Sequence, residues 1–165
     1  MDWIHSTHLE TLSSLDPAAA MLGLVVWTRS GGAPYQASSP RYPVHLGTLG
    51  DCAEFLGMSR ATVKRAWPSF SQAFVGTGGR YTPALDFWPD PATVGPRPPD
   101  ARPLYVRIAR ETVDALASLS RCAPARTAWA AFRLALRLLP RLRAAACRGV
   151  RSVVWTNDQI AKALG

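Results

Sequence analysis

The chain has 165 residues, 48% of them hydrophobic, which is enough for one ordinary domain or two small ones and too apolar for a disordered tail. Its net charge of +8, carried by 17 Arg and 2 Lys against 11 acids, with a pI near 10.3, directs attention to an anionic partner, nucleic acid before acidic lipid. The longest apolar run, Ala18–Trp27, is ten residues, about half of the roughly 20 that a bilayer-spanning helix needs, and the first ten residues show no secretory signal.

Thr7 with Glu10 three residues on predicts a capping box for a short helix, and Asp16 followed by Pro17 predicts an N-cap with proline in the first turn. That second helix is expected from Pro17 to about Arg29, stopping at Gly31 and Gly32, with loop over 31–41 and a short strand over 43–46. The stretch TLGDCAEFLGMSRATVKRAWPSF, residues 48–70, is the most informative. Thr48 caps a helix with Asp51 at its third position, Ala53 and Leu56 share one face, and Gly57 can turn left-handed without steric cost. Ser59 caps the next helix, in which Val63 and Trp67 point inward while Arg60, Lys64 and Arg65 point out. A small residue at the helix crossing, a glycine turn and a capped basic second helix make a helix-turn-helix pattern. Residues 73–87 then supply two extended segments joined by GTGG, a hairpin whose tip carries Arg80. A helix-turn-helix followed directly by a hairpin is the winged-helix arrangement.

Six prolines in residues 88–103 bar a helix or a central strand and read as a linker between an N-terminal domain, 1–87, and a C-terminal one, 104–165. The charge is divided unevenly: residues 106–165 carry a net +8 and the rest of the chain sums to zero. In the second block, 104–109 alternates as a strand, 110–120 reads as a helix, and 125–139 is strongly amphipathic. Trp129, Phe132, Leu136 and Leu139 form its apolar stripe, Arg126, Arg133, Arg137 and Arg141 another face, and Pro140 is expected to end or kink it. Those arginines fit a DNA-backbone contact, a site for an acidic protein, or a solvated polar face. Residues 150–155 read as a further strand.

TNDQIAKALG, residues 156–165, repeats TLGDCAEFLG, residues 48–57, at an offset of 108: Thr156, Ala161, Leu164 and Gly165 match Thr48, Ala53, Leu56 and Gly57. Each segment starts with a cap and a partner three residues on, and each follows a long apolar helix and a short strand. The expected fold is mainly α with small β-hairpins: two winged helix-turn-helix units in tandem, the second incomplete.

On the residues LGMSRATVKRAW (56–67), LYVRIARETVDALASLS (104–120) and WTNDQIAKALG (155–165), the chain resembles bacterial tandem winged-helix proteins, particularly plasmid and phage replication initiators and related helix-turn-helix regulators. The resemblance implies sequence-specific binding of double-stranded DNA, in replication initiation or transcription regulation, with a helix over about 59–68 in the major groove and a wing over 73–87. By position it implies DNA contact by Ser59, Arg60, Ala61, Thr62, Lys64 and Arg65; Arg80, beside the glycines of the hairpin tip, is suited to lie along a phosphate backbone or in a minor groove. It further implies a second recognition helix after Gly165, so a chain that continues beyond this residue is expected, or else a second unit that keeps only its packing role. The alternative is a winged-helix interaction module that dimerises or binds an acidic protein.

No catalytic constellation, cofactor motif or phosphate-cradling loop is legible, so no enzyme activity and no cofactor are expected. His5 and His8 lack a third ligand nearby, so no metal is expected either. Cys52, Cys122 and Cys147 are widely spaced and odd in number, which reads as reduced thiols in a cytoplasmic, nucleoid-associated protein that binds no membrane.

Overall fold

A computed structural model describes residues 2–31, 41–90, 105–147, 149 and 156–164. The fold is mainly helical with small antiparallel sheets. At its centre lies α2, Pro17–Arg29, in which every residue from Ala18 to Thr28 is buried. A helix apolar on all sides must be covered on all sides, and α1, α3, α4, α5, β1 and β4 all pack on it. Pro17 supplies a pre-set φ in its first turn, and the Thr28 hydroxyl is satisfied by the Leu24 carbonyl at 2.8 Å.

The chain enters through β1, Asp2–His5, a strand the sequence does not announce. It pairs antiparallel with β5, Tyr105–Ile108, in the register Asp2↔Ile108 to His5↔Tyr105. Because β1 ends at His5, α1 (Ser6–Ser13) begins two residues earlier than the Thr7–Glu10 capping box predicts. The cap is His5, whose Nδ1 accepts the Thr7 amide at 3.2 Å, and Thr7 lies inside the helix.

After α2 come β2 (Val44–His45), α3 (Leu49–Leu56), α4 (Arg60–Ala73), β3 (Phe74–Thr77) and β4 (Arg80–Pro83), with the sheet in the order β2-β4-β3. α4 outruns the expected 59–68 and passes through Pro68, which removes the bond to the Lys64 carbonyl. Aromatic packing on both sides of the proline holds the helix together. Phe70 lies 4.9 Å from both Trp67 and Phe74 and 5.2 Å from Tyr81 between ring centroids. Trp88 closes this cluster, its indole N–H donating to the Ala73 carbonyl at 2.8 Å. The hairpin is β3–β4, shorter than the 73–87 expected, and 84–87 continues as a turn.

In the second half, α5 (Arg110–Ala117) leads through a 3-10 turn, Leu119–Arg121, to α6 (Ala125–Cys147). Of the two outcomes expected at Pro140, an end or a kink, the end does not occur: α6 continues through it to Cys147. α6 is flanked by α1, β5, the 3-10 turn and α7 (Asn157–Leu164), and Ala145 is still buried beyond the proline. The strand expected over 150–155 and most of the proline-rich segment lie outside the described residues.

Strand, short helix, long helix recurs as β1-α1-α2 and β5-α5-α6, and α2 and α6 start 108 residues apart, as do α3 and α7. The recurring pieces exchange partners: β1 pairs with β5, α1 packs on α6, and α5 packs on α2. One hydrophobic core therefore draws on both sides of the proline-rich segment, from Ile4 and Leu24 to Val113 and Phe132. Arg29 of α2 pairs with Asp114 of α5 across the same boundary.

Candidate nucleic-acid interface

The surface that gathers most of the expected contact residues is built from two helix starts and a hairpin tip. The Thr48 Oγ1 accepts the Asp51 amide at 3.2 Å, and the Asp51 carboxylate accepts the Thr48 amide at 2.6 Å, so α3 starts on a reciprocal capping box. These bonds hold the Asp51 carboxyl below the usual carboxylate range. α3 ends at Gly57, left-handed at φ +68, with the Met58 amide bonded to the Ala53 carbonyl at 3.0 Å. That closure reverses the chain within two residues and sets up Ser59, whose Oγ accepts the Thr62 amide at 3.1 Å and caps α4.

α4 is divided lengthwise. Val63, Ala66, Phe70 and Ala73 are buried, Trp67 is half-buried, and Arg60, Ala61, Lys64 and Arg65 are exposed. Ser59 is exposed and Thr62 half-buried, its hydroxyl 2.8 Å from Ser59 Oγ. Six of the seven expected contact residues thus lie in one short stretch of α4 and its cap. Among the described residues, no carboxylate forms an ion pair with Arg60, Lys64, Arg65 or Arg80.

Arg80 stands apart from α4, at the start of β4 beside the hairpin tip, exposed and opposite His45 in register. The tip is Gly78-Gly79, both at positive φ (+61 and +76), and a Cβ on Gly79 would come 2.7 Å from the Gly47 carbonyl oxygen. The Leu46 amide bonds the Gly79 carbonyl at 2.7 Å, so the residues leading into α3 tie down the hairpin tip. Cys52, on the buried side of α3, makes a long contact to the Leu46 carbonyl at 3.6 Å, and burial pushes its thiol up to about 11. That makes it packing rather than a reactive group.

The other arginines lie elsewhere. Arg126, Arg133, Arg137 and Arg141 are on α6; Arg126 and Arg141 are exposed, Arg133 and Arg137 half-buried, with the Arg133 guanidinium 5.7 Å from the Trp129 ring centroid. A neighbour missed from sequence is Arg121, exposed on the 3-10 turn, whose backbone fills the space where a Cβ on Gly57 would stand. Sixty-four residues separate the two, and no periodicity marks the pair.

His5 and His8 are occupied structurally. His8 is buried against Trp27, ring centroids 4.3 Å apart, and its Nε2 donates to the Pro89 carbonyl at 2.9 Å. Burial lowers its pKa to about 4, so the ring is neutral. Among the described residues no three His, Cys, Asp or Glu side chains are grouped to hold a metal, and no helix is long and apolar enough to cross a membrane.

No family model matches the chain, no curated protein matches its sequence, and no solved structure matches its fold.

Proposed function

We propose that the chain binds double-stranded DNA with sequence preference, as a replication initiator or transcription regulator, and that residues 17–83 form a winged-helix unit. The observation that carries this is the order α2-β2-α3-α4-β3-β4 with the sheet as β2-β4-β3, in which a Ser-capped helix turns Arg60, Lys64 and Arg65 to solvent and a glycine hairpin follows at once. The first turns of α4 enter the major groove. Arg60 and Arg65 have the fork geometry to read guanine, while Lys64 neutralises phosphate. Ser59, Ala61 and Thr62 are small enough to let the helix start approach bases and backbone closely. Arg80, beside a tip with no side chains, lies along the phosphates or in the minor groove.

Two released phosphate counterions, one each for Lys64 and Arg80, give a slope of log K against log salt of about −1.8. The α6 arginines steepen it if they reach the backbone. In this reading α6 and α7 are the long helix and first short helix of a second unit of the same kind.

One observation favours a second reading, in which the unit is a protein-interaction module: residues 1–105 carry no net charge, and α3 exposes Asp51 and Glu54 beside α4. Titration of a labelled random duplex at low and at moderate salt separates the two. Binding at low salt that weakens steeply as salt rises supports DNA binding; no binding at low salt leaves the interaction module.

A further inference from the structure

We propose that Arg121 is a phosphate-contacting residue of the same DNA surface, brought to it by the half of the chain that follows the proline-rich segment. This rests on the DNA reading of α4 and adds to it a residue from outside the winged-helix unit. The placement is fixed by backbone. Leu119–Arg121 is a single 3-10 turn, in which the Arg121 amide donates to the Ser118 carbonyl at 2.9 Å and the Cys122 amide to the Leu119 carbonyl at 3.0 Å. Leu119 and Ala123 pack on the shared core, and the turn lies against α3, α5 and α6. The Cα and N of Arg121 stand 2.8 and 2.9 Å from where a Cβ on Gly57 would be, so the absence of a side chain there is what lets the two turns touch. Gly57 is three residues before Arg60, which puts the start of α4 within about 10 Å of it.

The guanidinium is available to an anion. Arg121 and Gly57 are both exposed, and the Arg121 Cγ is the atom that a Cβ on Gly57 would meet first, so the aliphatic stem is laid along the α3–α4 turn. Among the described residues no carboxylate pairs with Arg121, although Glu54 is exposed on α3 three residues before Gly57. A long side chain whose stem already rests on a fixed turn gives up less freedom when it grips a ligand.

The occupant is the backbone of the duplex rather than a base. A major groove about 12 Å wide admits one helix, and α4 takes that place. A second turn beside the start of the same helix meets the rim of the groove, where the phosphates are. Such a contact fixes register and adds affinity without reading sequence. An arginine near the C-terminal end of α3 also complements the helix dipole, but that role acts on folding and leaves the salt dependence of DNA binding unchanged.

The contact adds a third released counterion to those of Lys64 and Arg80, and takes the slope of log K against log salt from about −1.8 to about −2.7. Anisotropy titrations over a range of salt, with a duplex selected from a randomised pool and a scrambled one, test this on the full chain. Arg121→Ala is expected to return the slope to about −1.8 and to weaken both duplexes alike. The loss is about eightfold at 0.1 M salt, the factor that a slope of 0.9 gives between 0.1 and 1 M. Arg121→Lys keeps the slope, because neutralising a phosphate needs the charge and not the fork. Arg110→Ala removes the same charge at the far end of α5, about 12 Å of helix away from the 3-10 turn, and leaves the slope as it is in the native chain. Ethylation interference on the selected duplex shows a phosphate whose ethylation weakens the native chain but not Arg121→Ala.

An unchanged slope in Arg121→Ala, an equal reduction in Arg110→Ala, or a loss confined to the selected duplex overturns the proposal. So does a lower urea midpoint in Arg121→Ala with DNA binding intact, which assigns the residue to α3 alone. Arg60→Ala with Lys64→Ala judges the reading of α4 in the same titrations. If that double variant loses sequence preference while Arg121→Ala binds as the native chain does, the reading of α4 stands and this proposal falls; if the native chain binds neither duplex, both fall.

Discussion

Replacing Gly57 by alanine probes whether the α3–α4 turn depends on the second half of the chain. Two costs add. At φ +68 a side chain sits in the left-handed region, worth about 1–2 kcal/mol. The new Cβ would also stand 2.3 Å from the Cγ of Arg121, 2.8 Å from its Cα and 2.9 Å from its N. The last two are backbone atoms of a 3-10 turn, so the clash cannot be relieved by a rotamer, and overpacking of this kind costs about 1–3 kcal/mol. The sum is about 3 kcal/mol. Gly78→Ala is the matched control, because Gly78 has φ +61 and nothing within 4 Å of a Cβ, which leaves the backbone cost alone. Urea unfolding followed by tryptophan fluorescence should give a midpoint about 1.5 M lower for Gly57→Ala and about 0.5 M lower for Gly78→Ala, at a slope near 2 kcal/mol per M. Adding Arg121→Ala to Gly57→Ala should recover only part of the loss, since the backbone contacts stay. Equal midpoints for the two single variants would refute the packing of the 3-10 turn on this turn.

Other consequences follow from burial and capping. The His8 pKa is about 4 folded against 6.5 for an ordinary histidine, so the unfolded chain binds the extra proton; stability is complete above pH 6.5 and falls by about 1.4 kcal/mol per unit toward pH 4. His8→Gln should flatten that window in pH-dependent urea titrations, and an unchanged slope would assign it to other groups. Thr48→Ala removes one arm of the capping box and should cost about 1 kcal/mol by the same titrations. Phe132, fully buried in α6, should cost about 3–5 kcal/mol as alanine; because its core is shared, the loss should appear as one transition, and a second transition would show that the halves unfold separately.

The elements most legible in the sequence are those fixed by a local device. Thr48 and Asp51 close a capping box, Gly57 turns left-handed, Ser59 caps α4, Pro17 opens α2, and the glycines of residues 76–79 make the hairpin, because each works through neighbours within four residues. What escaped is non-local. β1 is four residues whose pairing is set by β5, about a hundred positions away, and His5 became a cap only because that strand ends on it. A buried, neutral His8 has no marker in a polar stretch at the N-terminus. Pro68 is the last residue of the helix expected over 59–68 and Pro140 was expected to end or kink α6, yet aromatic packing at the first and the flanking helices at the second keep the chain helical. The α4 arginines and lysine were legible because the 3.6-residue period places them off the face formed by Val63, Ala66 and Phe70; Arg121 was not, because tertiary packing alone brings it to the turn.

The central claim is that the first turns of α4 read DNA. The direct measurement is selection of duplexes from a randomised pool by the full chain, followed by anisotropy titration of the selected duplex and a scrambled one with the native protein and with Arg60→Ala plus Lys64→Ala. The account predicts a defined selected sequence, a preference over the scrambled duplex that the double variant loses, and residual binding that still weakens with salt. A sequence preference unchanged in the double variant, or no enrichment from the pool, would contradict it.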